Sequence, residues 1–553
     1  MTQSADLLIT NAHVFTADAA RPFVEAVAVS GNRIVLVGSA AEAQAWRGSG
    51  TRVVDGQGAT LMPGIIDSHY HLHLGSMGLA HIQLDKVESL GELTEVIRRY
   101  AHAHPDEPYI TGAQLRYEVM PAGQPLTRQH LDAIVSDRSL TIMAYDYHTA
   151  WANTRALEVA GKLRDITNRP GSAIVTDADG VATGELIEPL AYAAVLGHFE
   201  AWDATVKSFL PDEFGKPTYG SARDQRWIRE GLKLTARHGI TSIHNMDGNA
   251  AQAAFYAGLE AAGELTTRIS IPYSVVPTTR ESDLDEAVEM TRLHQGDKLR
   301  AGRAKFFMDG VIESWTAFLL NDYADRPSSK GEALYSAEHF NRMAAACDAR
   351  GLQITVHAVG DAAVRRTLDG YAHARQVNGV RDSRHRVEHI ELVHPADIPR
   401  FAKLGVIASF QPLHCILDYP QTPEFFPERV GRDAWHRSFA WQYLRGGGAR
   451  VAFGSDWPVV TQDAMLGIHN ALNRQAWGAD QPDHRQSLSD TLLSYTRDGA
   501  YTEFQEHQKG QLKVGYLADM VLLSADLFQT ADASIKEVHP VMTICDGQVV
   551  YEG

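Results

Sequence analysis

A chain of 553 residues exceeds one ordinary domain and has room for a large core plus an accessory unit. Its formal net charge of -17 argues against a nucleic-acid partner and disfavours an anionic membrane surface, because no surplus of Lys and Arg exists to displace counterions. Cys347, Cys415 and Cys545 are too few and too widely spaced for a disulfide framework or a thiolate cluster, which fits a reducing cytoplasm. The opening stretch "MTQSADLLITNAHVF" has neither the basic flank nor the apolar core of a secretory signal. No apolar run approaches the roughly 20 residues that span a bilayer. The expectation is a cytoplasmic protein.

The first sixty residues predict short strands with tight turns, in "DLLITNAHVFT", "EAVAVSGNRIVLVG" and "TRVVDGQGATLMPG". The last stretch repeats that style in "KVGYLADMVLLSADL" and "VHPVMTICDGQVVYEG". Two β-rich ends around a different middle predict one composite β-sandwich, built from residues 1–62 and 505–553. The middle, 63–504, alternates short apolar strands with amphipathic helices. The strands are the one ending in "LMPGIID", then "TSIHNMD", "RISIPYSVV", "RAKFFMDG", "QITVHAVG", "HRVEHIEL", "GVIASFQP" and "RVAFGSDWP". Eight strands with helices between them predict an α/β fold of the (β/α)8 TIM-barrel type. The first strand and Thr241 lie too far apart for one crossover helix, so residues 75–235 are expected to hold an inserted subdomain after the first barrel strand. On the face where barrel sites sit, such an insertion shapes or covers a pocket.

Polar residues at the C-terminal ends of these strands carry the chemistry. In "DSHYHLH", His69 and His71 are two apart, so on a strand both side chains point to one face and can grip one ion. His73 lies further into the loop and is left out. "TVHAVGD" ends on His357, "RVEHIEL" on His389 beside Glu388, and "VAFGSDWP" on Asp456. Singly, each histidine also reads as a hydrogen-bonded core residue, and Asp456 as a helix cap. Lys305 lies inside the apolar strand "AKFFMDG", where an unpartnered ammonium is expensive. Taken together, five strand ends of one barrel would converge on one mouth.

These motifs resemble the amidohydrolase superfamily, and within it the YtcJ-like branch that contains N-substituted formamide deformylases. The resemblance runs almost end to end, through "LMPGIIDSHYHLHLG", "DYHTAWANTRAL", "KFFMDG", "VHAVGDAAVRRTLDGY", "HRVEHIELVHPADIPRFAKLGVIASFQPLH" and "FGSDWPV". It implies one metal ion on His69, His71 and Asp456 and a second on His357 and His389. Lys305, carboxylated by carbon dioxide, would bridge the two as a carbamate. The implied cofactor is a divalent metal, Zn(II) first, with Mn(II) or Fe(II) as alternatives, since the ligands are nitrogen and oxygen without thiolate. The implied activity is hydrolysis of a C–N bond in an amide or N-substituted formamide, on a small-molecule substrate. Asp456 acts as general base toward a water acidified at the metal, and Asp456 or a nearby histidine returns the proton to the leaving nitrogen. His389 and His414, the latter in "QPLHC", join Asp456 as catalytic candidates.

Tyr147, His148, Trp151, Asp309, Trp315 and Trp457 are expected to contact substrate, with plain packing the competing reading for each aromatic. Where many relatives read roughly "DGSLGSRTA", this chain reads "DGVIESWTA", so Glu313 and Trp315 bear on the substrate rather than on the metal. A carbamate, urea or lactone would meet the same nucleophile. Two other readings are a Cys415–His414 nucleophile pair, whose neighbouring side chains on a strand point apart, and a non-catalytic regulatory relative, which would be expected to lose ligands. Relatives of this kind are often dimers, so a homodimer is the expected assembly.

Overall fold

The computed structural model describes residues 4–553 apart from 122, 170, 416 and 418–424. Its central sheet has eight parallel strands: β1 (Ile65–Tyr70), β2 (Ile240–Asn245), β3 (Arg268–Ser274), β4 (Leu299–Phe307), β5 (Gln353–Ala358), β6 (Arg386–His389), β7 (Ile407–Phe410) and β8 (Arg450–Phe453). They are hydrogen-bonded in sequence order, and each falls on one of the expected apolar stretches. Every residue of β1, β2 and β5 is buried, as parallel strands covered on both faces require. This is the (β/α)8 barrel expected from the alternation of strands and helices.

Closure between β8 and β1 is made at the rim. The Asp456 N–H donates to the His69 carbonyl at 2.7 Å, and the His71 N–H donates to the Trp457 carbonyl at 2.9 Å. Gly454 permits this approach, because a Cβ there would stand 2.3 Å from the His69 nitrogen and 2.8 Å from Asp67 Oδ1. The seam therefore brings the end of the last strand against the His-x-His of the first.

Two further sheets lie at the chain ends. One has four strands, ordered Arg33–Gly38, Ala26–Ser30, Leu7–Thr10, Arg52–Asp55. The other has six and mixes the termini, with Thr60–Pro63 pairing antiparallel to Met520–Leu523. Leu7, Ile9 and Val27 of the first sheet share one apolar cluster with Leu61, Met520 and Ile544 of the second. Between β1 and β2 the chain forms another six-stranded sheet, from Ile82–Gln83 to Ala182–Ile187, over apolar clusters of its own. The helix Ala222–Arg237, placed inside the insertion by the sequence reading, packs differently. Its Ile228 and Leu232 join the barrel's apolar cluster, because they form the buried stripe of an amphipathic helix leading into β2. Among the described residues no helix is long and apolar enough to cross a membrane.

Candidate metal centre

Asp456, at the rim after β8, is the hub of the polar residues at the barrel mouth. Its Oδ1 lies 3.3 Å from His69 Nε2 and 3.3 Å from His71 Nε2. Its Oδ2 lies 3.7 Å from His414 Nε2 and 3.9 Å from His389 Nδ1. Two sets with metal-ligand geometry share this carboxylate, His69–His71–Asp456 and His389–His414–Asp456, each with its ligand atoms within 4.8 Å of one another. His389 (φ 72°) and Asp456 (φ 65°) both hold left-handed backbone, a conformation costly for residues with a Cβ and concentrated at functional sites.

The second nitrogen of most of these rings is held by an acceptor. His69 Nδ1 meets Glu388 Oε2 at 2.8 Å and His71 Nδ1 meets Asp247 Oδ1 at 2.9 Å. His414 Nδ1 lies 3.4 Å from Glu391 Oε1, and His357 Nε2 donates to the Gly310 carbonyl at 3.0 Å. Metal-ligating histidines are oriented in this way, with one ring nitrogen tied back and the other presented to the ion. Buried atoms without a hydrogen-bond partner include Lys305 Nζ, His389 Nε2 and His414 Nε2. An unsatisfied buried polar group is expensive, so orphaned atoms on these residues call for a ligand. The residues present therefore fit a divalent cation.

The electrostatics of His69, His357 and His389 agree with that donor set, whereas His71 must give up a proton to join it. Burial holds His69, His357 and His389 far below the usual imidazole range, so their lone pairs are free. Burial also pulls His71 down, but the Asp247 and Asp456 carboxylates outweigh it and raise the ring to about 9. Burial pushes Asp456 up, yet His69, His71 and His414 hold it well below the usual carboxylate range. Burial lowers the Lys305 ammonium to about 8, beside Glu388 and Asp456 and 4.7 Å above the Phe307 ring.

The model of the amidohydrolase family (Amidohydro_3) matches residues 52–551. The chain belongs to the amidohydrolase family. It is 28% identical over 543 residues to the protein LONG AFTER FAR-RED 3 of Arabidopsis thaliana, covering 94% of this chain and 88% of that one. It is 25% identical over 559 residues to the N-substituted formamide deformylase of Arthrobacter pascens, covering 100% and 99%. Among solved structures it is similar to a metal-dependent hydrolase of Pyrococcus horikoshii OT3, with a TM-score of 0.71 at 23% identity over 96% of this chain and 99% of that one. That structural likeness speaks for the fold.

In this amidohydrolase a cavity of about 540 Å³ ends on His357, His389, His414 and Asp456 and takes in His148, Glu313, Glu391 and Arg116 from the surrounding loops. His414, expected as a catalytic residue, stands in the second ligand set where the resemblance implied His357. The His357 ring lies 4.4 Å from that of His389, and its Nε2 is tied back by the Gly310 carbonyl, which leaves Nδ1 as the nitrogen to face an ion. Of the six expected substrate contacts, His148 lines the cavity, and Tyr147, Trp151, Asp309, Trp315 and Trp457 are not in its lining.

Each has a physical reason to lie elsewhere. Tyr147 and Trp151 are buried in apolar clusters of the insertion. Asp309 is 1% exposed and accepts the N–H groups of Phe318, Val359 and Gly360, which makes it a staple between loops. Trp315 lies under the Arg429 guanidinium at 3.7 Å and donates to Asp325. Trp457 packs on Tyr70 and fills the space that a side chain at Gly75 would need. His73 turns toward Asp224, 3.8 Å away, and not toward Asp456. Cys415 lines the cavity, but burial raises its thiol and leaves little thiolate for nucleophilic chemistry.

Sequence reasoning missed Asp247, Glu391 and Glu188. Asp247 follows the end of β2 and Glu391 lies two residues past His389. Both are strand-end acids of the kind that marked Asp456, and that signal was available.

Proposed function

We propose that this amidohydrolase is a metal-dependent hydrolase of C–N bonds in amides or N-substituted formamides. One observation carries the reading: a single carboxylate, Asp456, lies within 3.3–3.9 Å of four imidazoles at the base of a cavity. His69, His71 and Asp456 would hold one ion. His389 and His414, with His357 beside them, would hold a second, and Lys305 would serve both as a carbamate. Its amine is buried without a hydrogen-bond partner, and burial favours the neutral form that attacks carbon dioxide. The product is a carbamate and a released proton, which turns a costly cation into an anion among imidazoles. Zn(II) suits this nitrogen and oxygen set, as Mn(II) and Fe(II) also do.

A bound divalent ion supplies Lewis acidity, polarising a carbonyl oxygen and easing deprotonation of a water. The chain's own residues do the rest. Asp456 takes the proton from the attacking water. Glu388, Asp247 and Glu391 keep His69, His71 and His414 in one tautomer and orientation. A basic amine nitrogen departs only when protonated, by Asp456 or by an imidazole of the cavity. The formamide assignment draws on the name of the Arthrobacter relative; a carbamate, urea or lactone is the competing class at the same site.

The test is metal content per chain, with turnover of N-benzylformamide, 4-nitroformanilide and a set of acyl amides. Activity is expected to vanish on chelation and return with Zn(II), Mn(II) or Fe(II). Intact mass in bicarbonate buffer is expected to show one added carbon dioxide, lost in Lys305→Met. Turnover undiminished after complete chelation would overturn the reading. A metal-loaded protein inert on all probes would point to a binding role.

A further inference from the structure

The insertion sends one imidazole into the cavity. His148 follows the insertion strand Ser139–Ala144, and Glu188 follows the strand Ala182–Ile187. His148 Nδ1 bonds to Glu188 Oε2 at 2.8 Å, and the Glu188 N–H donates to the His148 carbonyl at 2.6 Å. Glu188 is 3% exposed, and its other oxygen accepts the Thr316 hydroxyl of the loop after β4 at 2.6 Å. Gly310 makes room for this clasp, since a Cβ there would stand 2.2 Å from Glu188 Oε1. Tyr147 (φ 61°), which precedes His148, and Glu188 (φ 69°) itself hold left-handed backbone. Strain at both ends of one hydrogen-bonded pair marks a constrained functional geometry rather than a relaxed loop.

The pair has the form of an oriented acid–base group. A buried carboxylate holds Nδ1 and stabilises the imidazolium, so Nε2 is the nitrogen left to meet a ligand. His148 lines the same cavity as Asp456, and its ring lies 5.4 Å from that of His357. The geometry points to His148, held by Glu188, as the group that delivers the proton to the departing nitrogen. This inference rests on the C–N hydrolase reading and adds to it a division of labour: the barrel supplies the base and the insertion supplies the acid.

The step balances. Water adds its oxygen to the carbonyl carbon, and one of its protons passes to Asp456. As the C–N bond breaks, its electron pair goes to nitrogen, which takes the proton from His148 Nε2. The amine leaves neutral and His148 is left neutral beside Glu188. The proton on Asp456 returns to His148 by way of solvent, so acid and amine are the net products of amide and water.

The experiment compares His148→Gln and Glu188→Gln with the wild type on two formamides that differ in the basicity of the leaving amine. Benzylamine must be protonated to leave; 4-nitroaniline depends on it far less. For His148→Gln, kcat/KM on N-benzylformamide is expected to fall on the order of 100-fold or more, with a much smaller loss on 4-nitroformanilide. Glu188→Gln is expected to show the same selectivity in weaker form, with metal content unchanged in both variants. Equal losses on the two substrates, or none, would overturn the assignment while leaving the hydrolase reading in place. Loss of metal from either variant would make the pair a structural brace and overturn it as well. A wild type that holds metal and turns over neither probe would sink the hydrolase reading itself, and this inference with it.

Discussion

Glu388 and His69 are joined by a 2.8 Å bond between Oε2 and Nδ1, with side chains only 0% and 1% exposed. Glu388 is in turn held by Arg386, whose Nε donates to Oε1 at 2.8 Å. Arg386 Nη1 reaches His244 Nδ1 at 2.8 Å, and His244 Nε2 lies 3.2 Å from Glu503 Oε1, which pairs with Lys509 at 2.7 Å. A chain of buried charges therefore runs from the metal-facing ring through the barrel interior. Its end at His69 sets the tautomer that presents Nε2 to Asp456.

Glu388→Gln keeps an acceptor for His69 but removes the charge that raises its basicity. Affinity for the divalent ion is expected to fall by about 10- to 100-fold, read by competition with a chromogenic chelator. Unchanged affinity would show that the carboxylate serves packing alone. Glu388→Ala should do more damage, about 3–5 kcal/mol of stability, because it strands the Arg386 charge in the interior.

The barrel and its polar rim were legible because both depend on local pattern. Continuous apolar runs mark parallel strands, and a His, Lys or Asp closing such a run stands out against it. His69, His71, His389 and Asp456 meet in space for that reason. What surrounds them was not legible. Trp151, Trp315 and Trp457 look like pocket aromatics in the sequence, yet Trp315 lies beneath Arg429, 114 positions away, and Trp457 packs on Tyr70. No periodicity encodes such long-range packing. The acids Asp247 and Glu391 carried the same strand-end signal as Asp456, but their role as acceptors exists only once the rings they hold are placed.

His81, buried against Trp202 of the insertion, is expected to make the protein sensitive to acid. The ring is 6% exposed and lies tilted against Trp202, 4.2 Å between centroids; burial lowers its pKa to about 4, against only a weak contact from the Ala201 carbonyl. The folded chain keeps His81 neutral where the unfolded chain protonates it. Its stabilising contribution is therefore whole above about pH 6.5 and is lost as pH falls toward 4, by at most about 3 kcal/mol. His81→Phe retains the contact with Trp202 and cannot titrate. Its thermal midpoint is expected to fall less than that of the wild type between pH 6.5 and 4.5. Parallel curves would show that His81 is not the group responsible.

The barrel floor is tied to the C-terminal strands by a second buried ion cluster. Arg268, the first residue of β3, donates from Nε to Asp519 Oδ2 at 2.7 Å and from Nη2 to Asp519 Oδ1 at 2.9 Å and Asp546 Oδ1 at 2.9 Å. Arg268 is 2% exposed, so its charge is compensated by these carboxylates and by little solvent. Asp519→Ala leaves the guanidinium half-paired in a dry site and is expected to cost about 3–5 kcal/mol, read as a lower unfolding midpoint. The double variant Arg268→Met with Asp519→Leu removes both charges and fills the volume, and is expected to recover much of that loss. Metal content at low temperature should not change in either, because the cluster lies at the opposite end of the strands from Asp456. A double variant no better than Asp519→Ala would mean that the loss arises from packing around the carboxylate and not from the stranded charge.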